Sequence, residues 1–369
     1  MRALWTLVVV LPLSAGAVAP DASAKSDEGK KVTFMSRNLY LGADLAPAIV
    51  AIMSGDEAAI VTSVGEVWQG VKSTDFPTRA AAIADEIKSE KPDFVGLQEA
   101  VTWTVGPPVP GMAPTTVVYD FVEILRDALE ARGMHYDVVA SVDDFGAFAP
   151  GVAPESPYVV DGVPLFNIGI QDHDVLLVRR GGDFKISNAG GHTYTDNMAY
   201  PSPFGPIADT RGWVQADVTM GQRKFRVVTT HLEADVEAYR NLQAAELVAT
   251  PCDTDLPVVL LGDFNSNGNS PDDTGTGAAY QIVRDAEFED AWLLERPDDP
   301  GITYGQEPTL TVASFPSTLT EPIERIDFVL FRGGIGSESA DRFGCEVADM
   351  YEGLWPSDHA GVVATLRVR

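Results

Sequence analysis

Short apolar runs that end abruptly on a polar side chain constrain this chain more than any other feature. Residues 257–270 read PVVLLGDFNSNGNS. Val258 through Leu261 offer no polar face, so the segment reads as a strand covered on both sides. Gly262 stops it, and Asp263 and Asn265 follow at once. The pattern recurs along the chain. Asn38 follows VTFMSR, Glu99 follows DFVGLQ, and His231 follows RVVTT. Asp358 and His359 sit in PSDH, just before the apolar run that closes the chain. Asp327 differs, lying inside RIDFVLF between Ile326 and Phe328.

Helical segments alternate with these runs. Residues 44–72 read as two helices around a Ser-Gly-Asp break. TRAAAIADEIKSEK (78–91) carries Ala80, Ile83, Ala84 and Ile87 on one face and meets Pro92, which ends a helix. Residues 120–133 form a helix that stops at Gly133, and 233–250 form another. Further strands are expected in KVTFMSRNLYL, HYDVVASV, HDVLLVRR, FKISNAG, GCEVADMYE, and in GWVQADVTM and RKFRVVTTHL joined as a hairpin at Gly221. Residues 101–118 and 143–166 read as irregular, the first as a surface loop. Hairpins among helices disfavour a parallel barrel and fit two packed sheets with helices outside, an α/β architecture.

The N-terminus opens Met1-Arg2, continues as ALWTLVVVLPLSAGAVA and reaches ASA at 22–24. That is the layout of a secretory signal peptide. The expected organisation is a signal over 1–24 and one domain over 25–369, with the product secreted or periplasmic. The composition, 45% hydrophobic and 22% charged, is that of a globular protein. Its formal net charge of −28 argues against an extended basic nucleic-acid groove. A polyanionic substrate is still compatible where bound cations reverse the local field. Cys252 and Cys345 are the two cysteines; a single bridge and two free thiols are both open.

A turn accounts for GDFN taken alone, because Asp and Asn bond their own backbone. Independent turns do not account for all of these strand ends together, nor for a carboxylate at Asp327 between apolar neighbours, which requires a partner when buried. Asn38, Glu99, Asp263, Asn265 and Asp358 are hard oxygen donors suited to Mg²⁺, Mn²⁺ or Ca²⁺. His231 and His359 could act as acid or base, or hold a phosphate oxygen. His359 is the candidate partner of Asp327, which would orient it and favour its charged form.

VTFMSRNLY, DFVGLQEA, VVTTHLEA, VVLLGDFNS, RIDFVLF and PSDHAGVVATL occur in that order. Together they resemble the endonuclease/exonuclease/phosphatase superfamily with its deoxyribonuclease I-like fold. The resemblance implies a four-layer α/β/β/α sandwich of two packed mixed sheets with outer helices. It implies metal binding by Asn38, Glu99 and Asp358. It implies that Asp263 and Asn265 orient water and contact phosphate, that His359 contacts the scissile phosphate, and that Asp327 supports His359. His231 matches the second histidine of the deoxyribonuclease and sphingomyelinase branches, but a carboxylate partner for it cannot be assigned. The stretch between Asn38 and Glu99 is longer than the family pattern.

The expectation is a monomeric, metal-dependent hydrolase of phosphoric esters, a phosphodiesterase using water, with Mg²⁺ as cofactor. Its substrate would be a lipid head group, a nucleic acid or a small molecule, and no stable protein partner is expected. The specific alternatives are a sphingomyelinase-like and a deoxyribonuclease-like activity. The non-enzyme alternative is a secreted Ca²⁺-dependent binding protein. Asp272-Asp273 and Asp298-Asp299 read as solvated turns. Arg179, Arg180 and Arg211 read as charge balance rather than phosphate ligands, and His135, His173 and His192 are set aside. Trp103, Val105, Val109, Met112, Phe145 and Phe148 are either lipid-facing or folded onto the core.

Overall fold

In the computed structural model, residues 29–270, 277–316 and 323–369 are described. The stretch read as a signal peptide, 1–24, lies outside them, as does the Asp272-Asp273 pair.

The fully apolar runs become the inner strands of two sheets. In the first sheet the order is Ile335–Phe343, Gly361–Val368, Lys30–Asn38, Phe94–Gln98, Val163–Arg179, Thr102–Gly106, Thr116–Asp120. Tyr136–Val152 also pairs along Val163–Arg179. In the second sheet the order is Glu289–Asp290, Asp327–Arg332, Val258–Asp263, Arg223–His231, Gly212–Met220, Lys185–Thr193. Both sheets are mixed: Lys30–Asn38 runs parallel to Phe94–Gln98, and Arg223–His231 parallel to Val258–Asp263. Their facing sides bury Val32, Phe34, Phe94, Phe225, Leu261 and Val329. Phe34 stacks on Phe94 with ring centroids 5.5 Å apart, and Phe225 meets both rings edge-on.

Helices complete the sandwich. Glu57–Ser73, Phe76–Glu90 and Phe121–Glu130 cover the first sheet through Trp68, Ile83 and Leu125, with Phe76 stacked 3.6 Å from Phe121. Glu237–Ala249 and Ala278–Asp285 cover the second through Leu247, Tyr280 and Val283. Local signals set the helix ends. Asp56 caps its helix by accepting from the amides of Ala58 and Ala59, and Asp120 accepts from that of Glu123. None of the described helices is long and apolar enough to cross a membrane.

Three sequence expectations change, and one open alternative is settled. Residues 101–118 contain two strands, Thr102–Gly106 and Thr116–Asp120, and Trp103 and Val105 are buried rather than lipid-facing. Residues 143–166 belong largely to the strands Tyr136–Val152 and Val163–Arg179. Their register shifts between Asp143 and Gly146, and this irregularity breaks the alternation that sequence reading depends on. GCEVADMYE is not a strand. The Asp349 carboxylate accepts from the amides of Cys345 and Glu346 and folds the segment into a short 3₁₀ turn, while the strand lies earlier, at Ile335–Phe343. Cys252 and Cys345 are free and buried, so no bridge joins them.

The two sheets approach closely at Gly96. A Cβ there would lie 2.4 Å from Thr229 Oγ1 and 3.3 Å from Leu261 Cβ. Gln98 Nε2 donates to the same Thr229 hydroxyl, a hydrogen bond from sheet to sheet. Gly96→Val should therefore destabilise the protein by roughly 2 kcal/mol or more through overpacking. Urea unfolding should show a lower midpoint with an unchanged slope.

Candidate active site

Strand register assembles the site. His231 lies opposite Asp263 in the parallel pair, and Asp263 opposite Asp327 in the antiparallel pair. Asn38 lies opposite Gln98, which places Glu99 at the same end of the facing sheet. All these strand ends open into one cleft of about 470 Å³, lined by Glu99, His231, Asp263, Asn265, Asp358 and His359. Strained backbone holds several of these side chains. Glu99 and Asn265 adopt positive φ of 53° and 47°, a left-handed conformation costly for residues with a Cβ. Gly262 is required by its φ of 147°, and a Cβ there would strike the Thr230 carbonyl oxygen at 2.1 Å.

The predicted site residues interlock. Asn38 Nδ2 donates to Glu99 Oε1 at 3.0 Å and to Asp263 Oδ2 at 3.1 Å, bridging the sheets. Its Oδ1 accepts from the Tyr40 amide, and Glu99 Oε2 accepts from the Leu41 amide. Asp263 Oδ1 accepts from the Asn265 amide, and Asn265 Nδ2 donates to the Leu232 carbonyl. His359 Nδ1 lies 2.9 Å from Asp327 Oδ2 and 3.7 Å from Asp263 Oδ2, and its Nε2 lies 3.9 Å from Asp358 Oδ1. His231 Nε2 lies 3.6 Å from Asp263 Oδ2.

The two histidines are held in opposite charge states. Burial opposes charge on His359, but Asp327, Asp358 and Asp263 outweigh it and push the ring up to about 10. Burial, with the charges of Arg211 and His359, pushes His231 well below its ordinary value. The partner of His231 fixes its tautomer. Arg211 Nη1 lies 3.1 Å from His231 Nδ1, and a guanidinium can only donate. Nδ1 is therefore the acceptor, and Nε2 carries the proton toward Asp263.

Carboxylates crowd the same cleft. Burial, reinforced by Asp327, raises Asp263 to about 7, and burial with Glu99 raises Asp358 to about 6. Asp172, absent from the sequence reading, lines the cleft and is raised to about 7 by burial and Glu99. Asp44, Asp209 and Asp235 line it as well, and among the described lining residues Arg211 is the one guanidinium. Hard oxygen donors that repel one another suit a divalent cation. Asn38, Glu99 and Asp358 could hold one. Asp263, Asp327 and His359 also bring ligand-type atoms within 4.8 Å of one another. There, however, the short His359–Asp327 contact already places an imidazole proton between the groups.

Arg211 corrects the reading of it as surface charge balance. It is buried beside Asp209 at 3.6 Å and Asp172 at 3.9 Å and reaches the cleft. Arg179 and Arg180 pair instead with Asp93 and Asp137, away from it. His173 pairs with Asp143, His135 lies 3.9 Å from Glu130, and His192 stacks on Trp213. Arg79 was also missed. It is fully buried and donates to the carbonyls of Leu39, Tyr40, Thr74 and Pro356, tying the loop after Asn38 to the loop before Asp358. Its signal was legible: Arg79 falls on the apolar helix face defined by Phe76, Ala80 and Ile83.

A cleft that sets a neutral and a charged imidazole beside paired carboxylates is equipped for acid–base chemistry. The profile of the endonuclease/exonuclease/phosphatase family matches residues 66–359, and the chain belongs to that family. It is a phosphoester hydrolase. The binding-protein alternative falls away. No curated protein matches the sequence significantly. Among solved structures, a family protein from Bacteroides thetaiotaomicron is 16% identical with a TM-score of 0.52, over 92% of this chain and 99% of that one. Another from Beutenbergia cavernae is 21% identical with a TM-score of 0.53, over 92% and 72%. A mannosyl-6-phosphatase of B. thetaiotaomicron is 17% identical with a TM-score of 0.50, over 91% and 99%. These likenesses show the fold.

The charge on His359 carries a linkage consequence. Its folded value of about 10 exceeds the ordinary 6.5. Its contribution to stability is therefore complete below the ordinary value and is lost as pH rises through the folded one. In EDTA-treated protein, NMR titration should find this imidazole still protonated at pH 8. Asp327→Asn should lower its pKa by more than one unit, roughly the effect of removing an adjacent carboxylate.

Proposed function

We propose that this protein is an exported, divalent-metal-dependent phosphodiesterase that cleaves by in-line attack of water. One observation carries the metal requirement. A cleft walled by Glu99, Asp172, Asp209, Asp263 and Asp358, with Arg211 as its guanidinium, repels a phosphate unless a cation enters with it. Asn38, Glu99 and Asp358 would hold that cation, with Mg²⁺ the first candidate and Mn²⁺ or Ca²⁺ next. When bound, it would neutralise charge on the phosphate oxygens and leaving group.

The chain's own residues supply the rest. Asp263, raised to about 7, is poised to accept a proton from water near neutral pH. Asn265 fixes Asp263 through its amide and keeps one side-chain N–H for the water or the phosphate. Protonated His359, oriented by Asp327, presents Nε2–H to the developing negative charge. His231 has its Nε2–H set by Arg211 and can donate a hydrogen bond to the leaving oxygen. Export is supported by the sequence of residues 1–24 alone. The net charge of −28 weighs against DNA as substrate and favours a smaller ester.

Purified mature protein should hydrolyse a chromogenic phosphodiester in Mg²⁺ and lose that activity in EDTA. His359→Ala and Asp263→Ala should each lower kcat/KM by about a thousandfold or more with little change in the unfolding midpoint. Parallel assays of choline phospholipid head-group release and of plasmid nicking separate the two specific alternatives. Full turnover in EDTA would sink the metal requirement, and unchanged turnover in both variants would sink the site.

A further inference from the structure

The segment that makes this chain longer than its family pattern builds one wall of the cleft. Helix Ala46–Ser54 reads APAIVAIMS and contains no charged residue. A helix apolar all round is normally buried. This one buries only Ala48 and Ala51, while Val50 is 65% and Met53 38% exposed. The unburied side does not face open surface at random. Leu45, Ile49, Val50 and Met53 line the same cleft as Glu99, Asp263 and His359. Phe145 and Ile170 extend that apolar wall.

Two further features continue it. Leu45, Ile49, Phe145 and Ile170 also border a narrow crevice of about 50 Å³ with a nearly wholly apolar lining. At the other end of the helix, Gly55 meets Pro203, where an added Cβ would lie 2.8 Å from the proline ring, and the adjoining Phe204 is 66% exposed. The cleft is thus polar and acidic at the strand ends and hydrocarbon-like along the helix. Apolar surface left wet beside a binding site marks something bound.

We propose that the wall formed by Ala46–Ser54 binds a hydrocarbon chain of the substrate, so that the ester hydrolysed is an amphiphile with an alkyl or acyl group close to its phosphate. The inference rests on the phosphoester reading and narrows its substrate class. Continuity decides the occupant. Because the wall and the reacting groups line one cavity, a ligand with its phosphate at His359 can extend along Ile49 and Val50. A sugar or nucleotide would there set hydroxyls against apolar side chains with no partners.

The test is calorimetric binding of alkyl phosphates, from methyl to octyl phosphate, to the intact protein in Mg²⁺ below their micelle concentrations. A buried methylene is worth about fourfold in affinity, so the dissociation constant should fall by about that factor per methylene over the first few carbons. Val50→Glu and Met53→Gln should flatten the series, and a thermal melt shows whether each has folded. Equal affinity for methyl and octyl phosphate in the wild type overturns the proposal. Loss of a dimer in Val50→Glu, with no chain-length dependence in the wild type, would assign the face to self-association and also overturn it. Turnover of the matching p-nitrophenyl alkyl phosphodiesters is measured alongside. Chain-dependent binding without turnover faults the reaction reading and leaves the apolar wall standing, while turnover without chain dependence does the reverse.

Discussion

The lateral register of three strands in the second sheet governs the rest of the molecule. It places His231, Asp263 and Asp327 in adjacent ladder positions, all with less than a twentieth of their surface exposed. Burying carboxylates side by side is costly unless charge or hydrogen bonds compensate. The compensation comes from the other sheet and from the chain's end: Asn38 donates across the interface to Asp263, and His359 places its charged ring against Asp327 and near Asp263. The site therefore exists only where the two sheets face each other in one alignment. The Phe34, Phe94 and Phe225 cluster, the close approach at Gly96 and the Gln98–Thr229 hydrogen bond belong to the same constraint as the chemistry.

Much of this was legible in the chain. The apolar inner strands and their polar ends give themselves away because a strand covered on both faces has nothing else to be, and a polar group at its rim is displayed by default. Asn38, Glu99, His231, Asp263, Asn265, Asp358 and His359 were found that way, and all line or border one cleft. Asp327 was found because an acid between Ile326 and Phe328 requires a partner, and the partner is His359. Arg211 was singled out but read as charge balance, since an arginine at a strand edge looks the same in sequence whether it faces solvent or a buried imidazole. Asp172 lies in QDHD, whose alternating polar residues mimic an exposed strand face, yet Asp172 and Asp174 are buried and His173 is the one left partly open. The long paired strands around residues 136–179 were lost to bulges and to Gly and Pro, where pairing across the sheet overrides local propensity.

The acidic side chains around Arg211 outnumber the guanidinium that could balance them. Burial and mutual repulsion raise Asp144 and Asp174 well above the ordinary carboxylate range. Their charged forms are correspondingly disfavoured, which eases the repulsion between them. Asp358, raised to about 6, borders the cleft beside Glu99. The guanidinium of Arg211 lies among these acids at the edge of the cleft, where it fixes His231.

The inserted helices between Asn38 and Glu99 extend this logic from chemistry to selection. The strands that position the reacting groups are fixed by the sandwich and leave little freedom to vary what the cleft admits. A segment that leaves the sheet after Asn38 and returns through Phe94–Gln98 is anchored at both ends by the site itself, and Arg79 on its last helix holds the loop carbonyls on either side. Such a segment can change the shape and polarity of one cleft wall while the catalytic geometry stays in place. Here it offers an uncharged helix with Ile49, Val50 and Met53 toward the cavity. On the proposal of an amphiphilic ester, an acidic surface that repels polyanions and an apolar wall unsuited to sugars would act on different parts of a ligand and narrow the admissible esters from both sides.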